Sequence, residues 1–310
     1  MPLQALLEWN TLVGEIYGTE DKSLFYYSLV KMQKPENILE LGTGLGVSAF
    51  WMAQAVKENR VGHVFTVDNG EQWNDAVELY GVKTKSALAY FERLKANPRF
   101  VPVFFSAPDQ PADYFSAMDR ATALLGITEQ LTLLKGSVSL LDTKEVTAQT
   151  EPLLAPVLSR PIDLLFADIY HGPWACLSLL AKYLPLMAEY GSIFIDSAPT
   201  QLVAYLALEQ VIGQLNAGKV PAFFNAGTTE AQQARLVKLI ASRRFTLVPL
   251  VEKKNRDQNG FAWIRIEPVN ILPYPLSAMR GLAEDQPRLS VPGHAIETAM
   301  RTGLAGPMIK

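Results

Sequence analysis

The chain has 310 residues, 49% of them apolar and 19% charged, with a net charge of −3. A chain of this length buries roughly 75% of its unfolded surface, and high apolar content with low net charge excludes disorder as the dominant state. Cys176 is the only cysteine, which excludes a disulfide framework, and the mildly acidic balance argues against nucleic acid as the main partner, since phosphate contacts need a basic face.

Met1 to Gly14 lacks a basic front, and Glu8 interrupts its apolar run, so no targeting segment is expected there. No run of about 18 apolar residues is present to span a membrane. A single cysteine fits a reducing compartment, and a cytoplasmic location is the expectation. Charged content below the usual quarter leaves room for a homodimer contact.

Residues 1–36 read as a helical cap. Leu3, Leu6 and Leu7, then Leu12, Val13 and Ile16, recur at helical spacing, and Leu24 to Met32 gives a second apolar face before Pro35 ends it. A strand, Asn37–Leu41, then leads through a glycine turn (Gly42, Gly44, Gly46) into a helix from Val47 to Val56. The second strand, Val61–Val67, closes on Asp68. Between 69 and 130 two helix-then-strand readings compete, one ending in Phe100–Phe105 and the other in Leu131–Leu134. The second is preferred for the sheet, which makes 71–112 an insertion of the lid or binding-loop kind.

The pattern resumes after Pro161. Ile162–Ala167 is a near-continuous apolar run, as a strand buried on both faces requires, and it ends in Asp168. A helix at 173–187 follows, then strand Ser192–Ile195 ending in Asp196, helices near 200–215 and 231–242, and strands Phe245–Val251 and Phe261–Ile266 read as a hairpin. A tail from 269 to 310 is rich in proline. The expected fold is α/β: a Rossmann-like, doubly wound, mostly parallel seven-stranded sheet closing in an antiparallel hairpin, with the main domain at 37–268. Ligands of such sheets bind at the carboxyl ends of the strands. Asp68, Asp168 and Asp196 all fall there.

The glycine turn, Glu40-Leu41-Gly42-Thr43-Gly44-Leu45-Gly46, does not fit the dinucleotide spacing G-x-G-x-x-G from Gly42, because position 47 is valine. Its spacing E-x-G-x-G-x-G resembles motif I of the class I S-adenosylmethionine-dependent methyltransferases. Residues 161–198 are similar to the fourth and fifth strands of small-molecule O-methyltransferases, of which the catechol-type and macrocin-type sugar enzymes are the nearest groups. The resemblance implies S-adenosylmethionine as cofactor and an oxygen of a small molecule as acceptor, of the sort methylated in secondary metabolism. It implies that Gly42, Gly44 and Gly46 carry the methionine part, with Glu40 facing its ammonium end. Asp68 would hold the ribose, Gly136 and Ser137 the adenine edge, and Asp168 would face the transferring methyl group.

In metal-dependent members the acids matching Asp168 and Asp196 bind Mg²⁺. Ser197 departs from that pattern, because a hydroxyl is a poor third ligand for a hard cation. The chemistry needs a base for the acceptor proton. His171, three residues past Asp168, is better placed than His63 or His294. Asp168, His171 and Asp196 are thus the candidate catalytic set. The bland alternatives are a surface His171, and Asp196 as the N-cap of the next helix. Two other functions stay open: a methyltransferase-like binding or scaffold protein, and a nicotinamide-dependent reductase. The reductase lacks a Tyr-x-x-x-Lys pair, since Tyr80 is followed by Thr84 at the lysine position.

Overall fold

The computed structural model describes residues 2–14, 19–138, 140, 152–225, 228–252 and 260–269. His294, nearly all of the predicted C-terminal extension, and Asn259 of the expected hairpin turn lie outside the described residues.

In chain order the elements are α1 (Pro2–Val13), α2 (Glu20–Gln33), β1 (Asn37–Leu41), α3 (Val47–Asn59), β2 (His63–Asp68), α4 (Glu71–Gly81), α5 (Lys85–Lys95), α6 (Val101–Phe104), β3 (Phe105–Ala107), β4 (Gln110–Pro111), α7 (Tyr114–Leu125) and β5 (Leu131–Lys135). They continue with α8 (152–158), β6 (Ile162–Ala167), α9 (Pro173–Tyr183), β7 (Met187–Asp196), α10 (Leu202–Asn216), α11 (Glu230–Ser242), β8 (Arg243–Val251) and β9 (Gly260–Pro268). Seven strands form one sheet in the order β5-β2-β1-β6-β7-β9-β8. The first five run parallel, and β9 is antiparallel to both of its neighbours. The strand order reverses at β1, so the tips of β1, β2 and β6 surround the crevice where ligands of open α/β sheets bind.

Strand β5 settles the competition over the third strand of the parallel run. The rival segment, Phe100–Phe105, is mostly helical, because Phe100 turns onto Trp9 and Phe104 onto Trp9 and Trp73 rather than into a ladder. The insertion 71–112 is itself helical. Trp73, Phe91 and Leu94 are fully buried in the same core as α1, and Trp73 Nε1 donates to the Ala112 carbonyl at 2.9 Å. Strand β7 begins at Met187, earlier than its apolar run suggests, because its pairing with β6 slips between Ile162–Met187 and Leu164–Ser192. Pro185 lies in the single 3₁₀ turn that ends α9.

Each central strand is buried on both faces, and alternation divides its side chains. Ile38, Phe166 and Phe194 point toward α1, α2 and α3 into a core rich in aromatic rings. Leu39, Leu165 and Ile193 point the other way, into an aliphatic core with α9, α10 and α11. By the same period of two, Glu40, Asp168 and Asp196 fall on the side of Phe166 and Phe194. Helix α2 lies along β7. Tyr26 packs on Phe194 at 5.8 Å between ring centroids, and Lys22 reaches Asp196 at 2.5 Å.

Candidate active site

The glycine turn is built by backbone geometry. Gly42, Gly44 and Gly46 have φ of +90°, +53° and +75°, in the left-handed region that side chains resist. Gly42 has a second constraint: a Cβ there would lie 2.3 Å from the Asp168 carbonyl oxygen. The turn is held from several sides. Asp68 Oδ2 accepts the N–H groups of Thr43 and Gly44 at 2.9 and 3.0 Å, and its Oδ1 accepts that of Gly70 at 2.6 Å. Trp9 Nε1 donates to the Leu45 carbonyl at 2.9 Å, and Tyr114 Oη to the Gly44 carbonyl at 2.7 Å.

Beneath the turn, Glu40 is completely buried, and it accepts hydrogen bonds from the Ser48 and Thr66 hydroxyls. Burial pushes its carboxyl up to about 8, outweighing the two hydroxyls that favour the charged form; the charges of Asp168 and Asp68 push the same way. Glu40 therefore supports the turn from below, and the carboxylate is not open to a ligand lying over it. Gly136 and Ser137 follow β5 beside the tip of β2, where the Gly136 N–H donates to the Asp68 carbonyl at 2.9 Å and Asn69 Nδ2 donates to Ser137 Oγ at 3.1 Å.

One tip over, Asp168, His171 and Asp196 converge. Each offers a ligand atom, and these atoms lie within 4.8 Å of one another. His171 Nε2 is 3.7 Å from Asp168 Oδ1, and Nδ1 is 3.3 Å from the Asp196 carbonyl oxygen. A carbonyl only accepts, so that contact places a proton on Nδ1 and turns Nε2 toward Asp168. Asp196 does not cap α10, which starts after Gln201 beyond an intervening 3₁₀ turn. Tyr170 and Trp174, beside His171, are exposed rather than core, as are Leu202 and Val203 at the start of α10. His63 lies at the far end of β2, bonded to Thr132. Cys176 is a buried packing residue whose thiol burial pushes up to about 11.

Sequence reasoning missed Lys22. Its ammonium is 2.5 Å from Asp196 Oδ1, and both side chains are buried. Ser197 Oγ donates to the other oxygen, Asp196 Oδ2, at 2.7 Å. Tyr26, one helical turn past Lys22, is buried with a hydroxyl that finds no hydrogen-bond partner among the described residues. Burial, and then the charge of Asp196, raises that phenol well above its ordinary range. The sequence carries no signal for Lys22: a lysine with Tyr26 at i+4 gains meaning only once α2 is docked.

The opposite end of the sheet holds a groove of about 730 Å³. Two ion pairs line it, Arg160 with Glu36 and Lys238 with Glu189. Asp163 there accepts the N–H groups of Glu36 and Asn37. It is a structural end.

A Rossmann-like sheet with a glycine cradle at its first strand and an acid–histidine cluster at the fourth and fifth parallel strands defines a class I methyltransferase fold. A sequence model of the family described as a methyltransferase domain matches residues 39–198. The chain belongs to this methyltransferase family. Among solved structures, an O-methyltransferase from Bacillus cereus in complex with SAH is 15% identical, covering 86% of this chain and 90% of that one with a TM-score of 0.44. TomG, an O-methyltransferase from Streptomyces achromogenes in complex with SAM, is 15% identical over 85% and 89%, with a TM-score of 0.42. The SAH-bound methyltransferase PaMTH1 from Podospora anserina is 15% identical over 86% and 87%, with a TM-score of 0.41. No curated protein matches the sequence.

Two implied groups can be tested against these residues. S-adenosylmethionine fits: the turn presents backbone without side chains at Gly42, Gly44 and Gly46, all at positive φ, and Asp68 stands at the neighbouring tip. Mg²⁺ does not fit. It asks for oxygen ligands in a near-octahedral set. Here both oxygens of Asp196 are engaged, one by a cation, and Ser197 turns its hydroxyl back onto Asp196. Ser197 is held in that left-handed turn, at φ +58°, by its N–H bond to the Gly260 carbonyl at 2.8 Å.

Proposed function

We propose that this protein transfers the methyl group of S-adenosylmethionine to a hydroxyl oxygen of a small-molecule acceptor, in the cytoplasm. The observation that carries the reading is His171. It bridges the tips of β6 and β7, with Nδ1 at the Asp196 carbonyl and Nε2 toward Asp168, one strand from the glycine cradle. When bound, S-adenosylmethionine supplies an activated methyl group whose departing bond pair stays on sulfur.

The chain's own residues do the rest. The cradle of Gly42, Gly44 and Gly46 fixes the donor, and Asp68, which pins that turn through the Thr43, Gly44 and Gly70 N–H groups, has acceptor capacity left for a ribose hydroxyl. Nε2 of His171 takes the proton from the acceptor hydroxyl as the new C–O bond forms, and Asp168 stabilises the imidazolium that results. Tyr170 and Trp174, exposed and close to His171 in the chain, suit an acceptor with an apolar body. Fixing donor and acceptor together supplies several kcal/mol of the barrier. The acidic balance of the chain fits a small molecule better than a nucleic acid, and a homodimer is compatible with its low charge content.

Calorimetric titration with S-adenosylhomocysteine and, in parallel, NADH tests the reading. Micromolar binding of the first alone supports it. Binding of NADH, or of neither, refutes it in favour of a reductase or a scaffold.

A further inference from the structure

We infer that Lys22 is a built-in cation that stands in for a divalent metal, so that methyl transfer by this chain is metal-independent. The inference deepens the proposed function and rests on it. Three observations carry it. First, the ammonium lies on Asp196 at 2.5 Å, in the cluster where Asp168, His171 and Asp196 would share an ion, and Lys22 is only 7% exposed. A metal on Asp196 would sit within a few Å of that fixed positive charge, and at such range in a protein interior the repulsion is large.

Second, the placement of Lys22 is over-determined. Thr19 caps α2 by accepting the Lys22 N–H, and its hydroxyl is bonded to Glu252 just after β8. Ser23 bonds the Thr19 carbonyl at 2.8 Å and accepts from Asn10 Nδ2 at 3.0 Å, and Asn10 in turn accepts from Trp51 at 3.1 Å. The helix end that carries the lysine is thus tied to α1, α3 and the β8 tip. Third, the charges balance without a metal. The Lys22 ammonium already matches the Asp196 carboxylate one to one. A divalent ion added there would leave the pair positive and oppose a cationic sulfonium donor.

Lys22 therefore acts as a positioning residue: it fixes the Asp196 side chain, and Asp196 in turn offers the carbonyl that orients His171. The test is Mn²⁺ binding followed by electron paramagnetic resonance on the full chain, with S-adenosylhomocysteine affinity measured alongside. Wild type is expected to leave the free Mn²⁺ signal undiminished, and treatment with EDTA to leave turnover unchanged. Lys22→Met is expected to bind Mn²⁺ at the vacated position, tighter by roughly 100-fold or more, the scale of removing one close charge. Lys22→Arg, which keeps the charge, is expected to bind none. Micromolar Mn²⁺ binding by wild type, or turnover lost to EDTA and restored by Mg²⁺, overturns the inference, and neither needs a variant to fold. Failure of wild type to bind S-adenosylhomocysteine would instead overturn the methyltransferase reading, a result the metal arm does not produce.

Discussion

The two faces of the sheet use the same strands differently. Toward α9, α10 and α11 the strands present Leu39, Leu41, Leu165, Ala167, Ile193 and Ile195, all buried and all aliphatic. Toward α2 and α3 they present Ile38, Phe166 and Phe194, then Glu40, Asp168 and Asp196 as the tips approach. A parallel strand covered on both sides has no solvent face on which to place a charge. Its acids must sit at the end, and on the side where partners exist: Ser48 and Thr66 for Glu40, and Lys22 and Ser197 for Asp196. One face supplies cohesion, and the other gives up some cohesion for chemistry.

Substitutions can break this contrast. The largest expected effect is His171→Ala, which should lower turnover by roughly 10²–10⁴-fold, the usual contribution of a general base. Its affinity for S-adenosylhomocysteine should stay at the wild-type value by calorimetry, and an equal loss of binding would contradict the role. Next is Glu40. With its carboxyl pushed up to about 8 from 4.5, the folded chain keeps a proton that the unfolded chain has lost. Stability from this group is full below the unfolded value and drains away as pH rises toward 8, by on the order of 5 kcal/mol in all. Glu40→Gln should lack that decline, so denaturant midpoints of the two proteins should converge or cross as pH rises. A difference that is flat with pH would refute it.

On the aliphatic face, Leu165→Ala should cost roughly 2–5 kcal/mol in chemical denaturation while leaving cofactor affinity per folded molecule unchanged. Altered affinity would mean the two faces are not separable. The smallest effect is expected for Gly42→Ala. Strain at a positive φ and the clash with the Asp168 carbonyl should weaken S-adenosylhomocysteine by roughly 30-fold, equivalent to about 2 kcal/mol. Unchanged affinity would show that the turn tolerates a side chain.

The legible parts of the molecule were those with local causes. Asn37–Leu41, Ile162–Ala167 and Ser192–Ile195 announce themselves as apolar runs, and each acid at or beyond a tip follows directly in sequence. The glycines at 42, 44 and 46 declare a turn that only they permit. The segment 71–112 was harder, because Phe100, Val103 and Phe104 fit strand and helix patterns equally, and burial against Trp9 decides between them. The role assigned to Glu40 was incomplete for a similar reason: its position below the turn could be read, but not the hydroxyls of Ser48 and Thr66 that close over it. Lys22 was invisible. Its partner is 174 residues away, and nothing in EDKSLFYY distinguishes a buried lysine from a solvated one.

The hydrogen bond from Trp9 to the Leu45 carbonyl ties the first helix of the chain to the glycine turn. The two are consequently joined by thermodynamic reciprocity. If docking of that helix favours the turn in its ligand-ready shape, then occupancy of the turn must favour docking of the helix by the same factor. The opening residues of the chain therefore report on the state of a cradle more than thirty positions downstream, through a single indole.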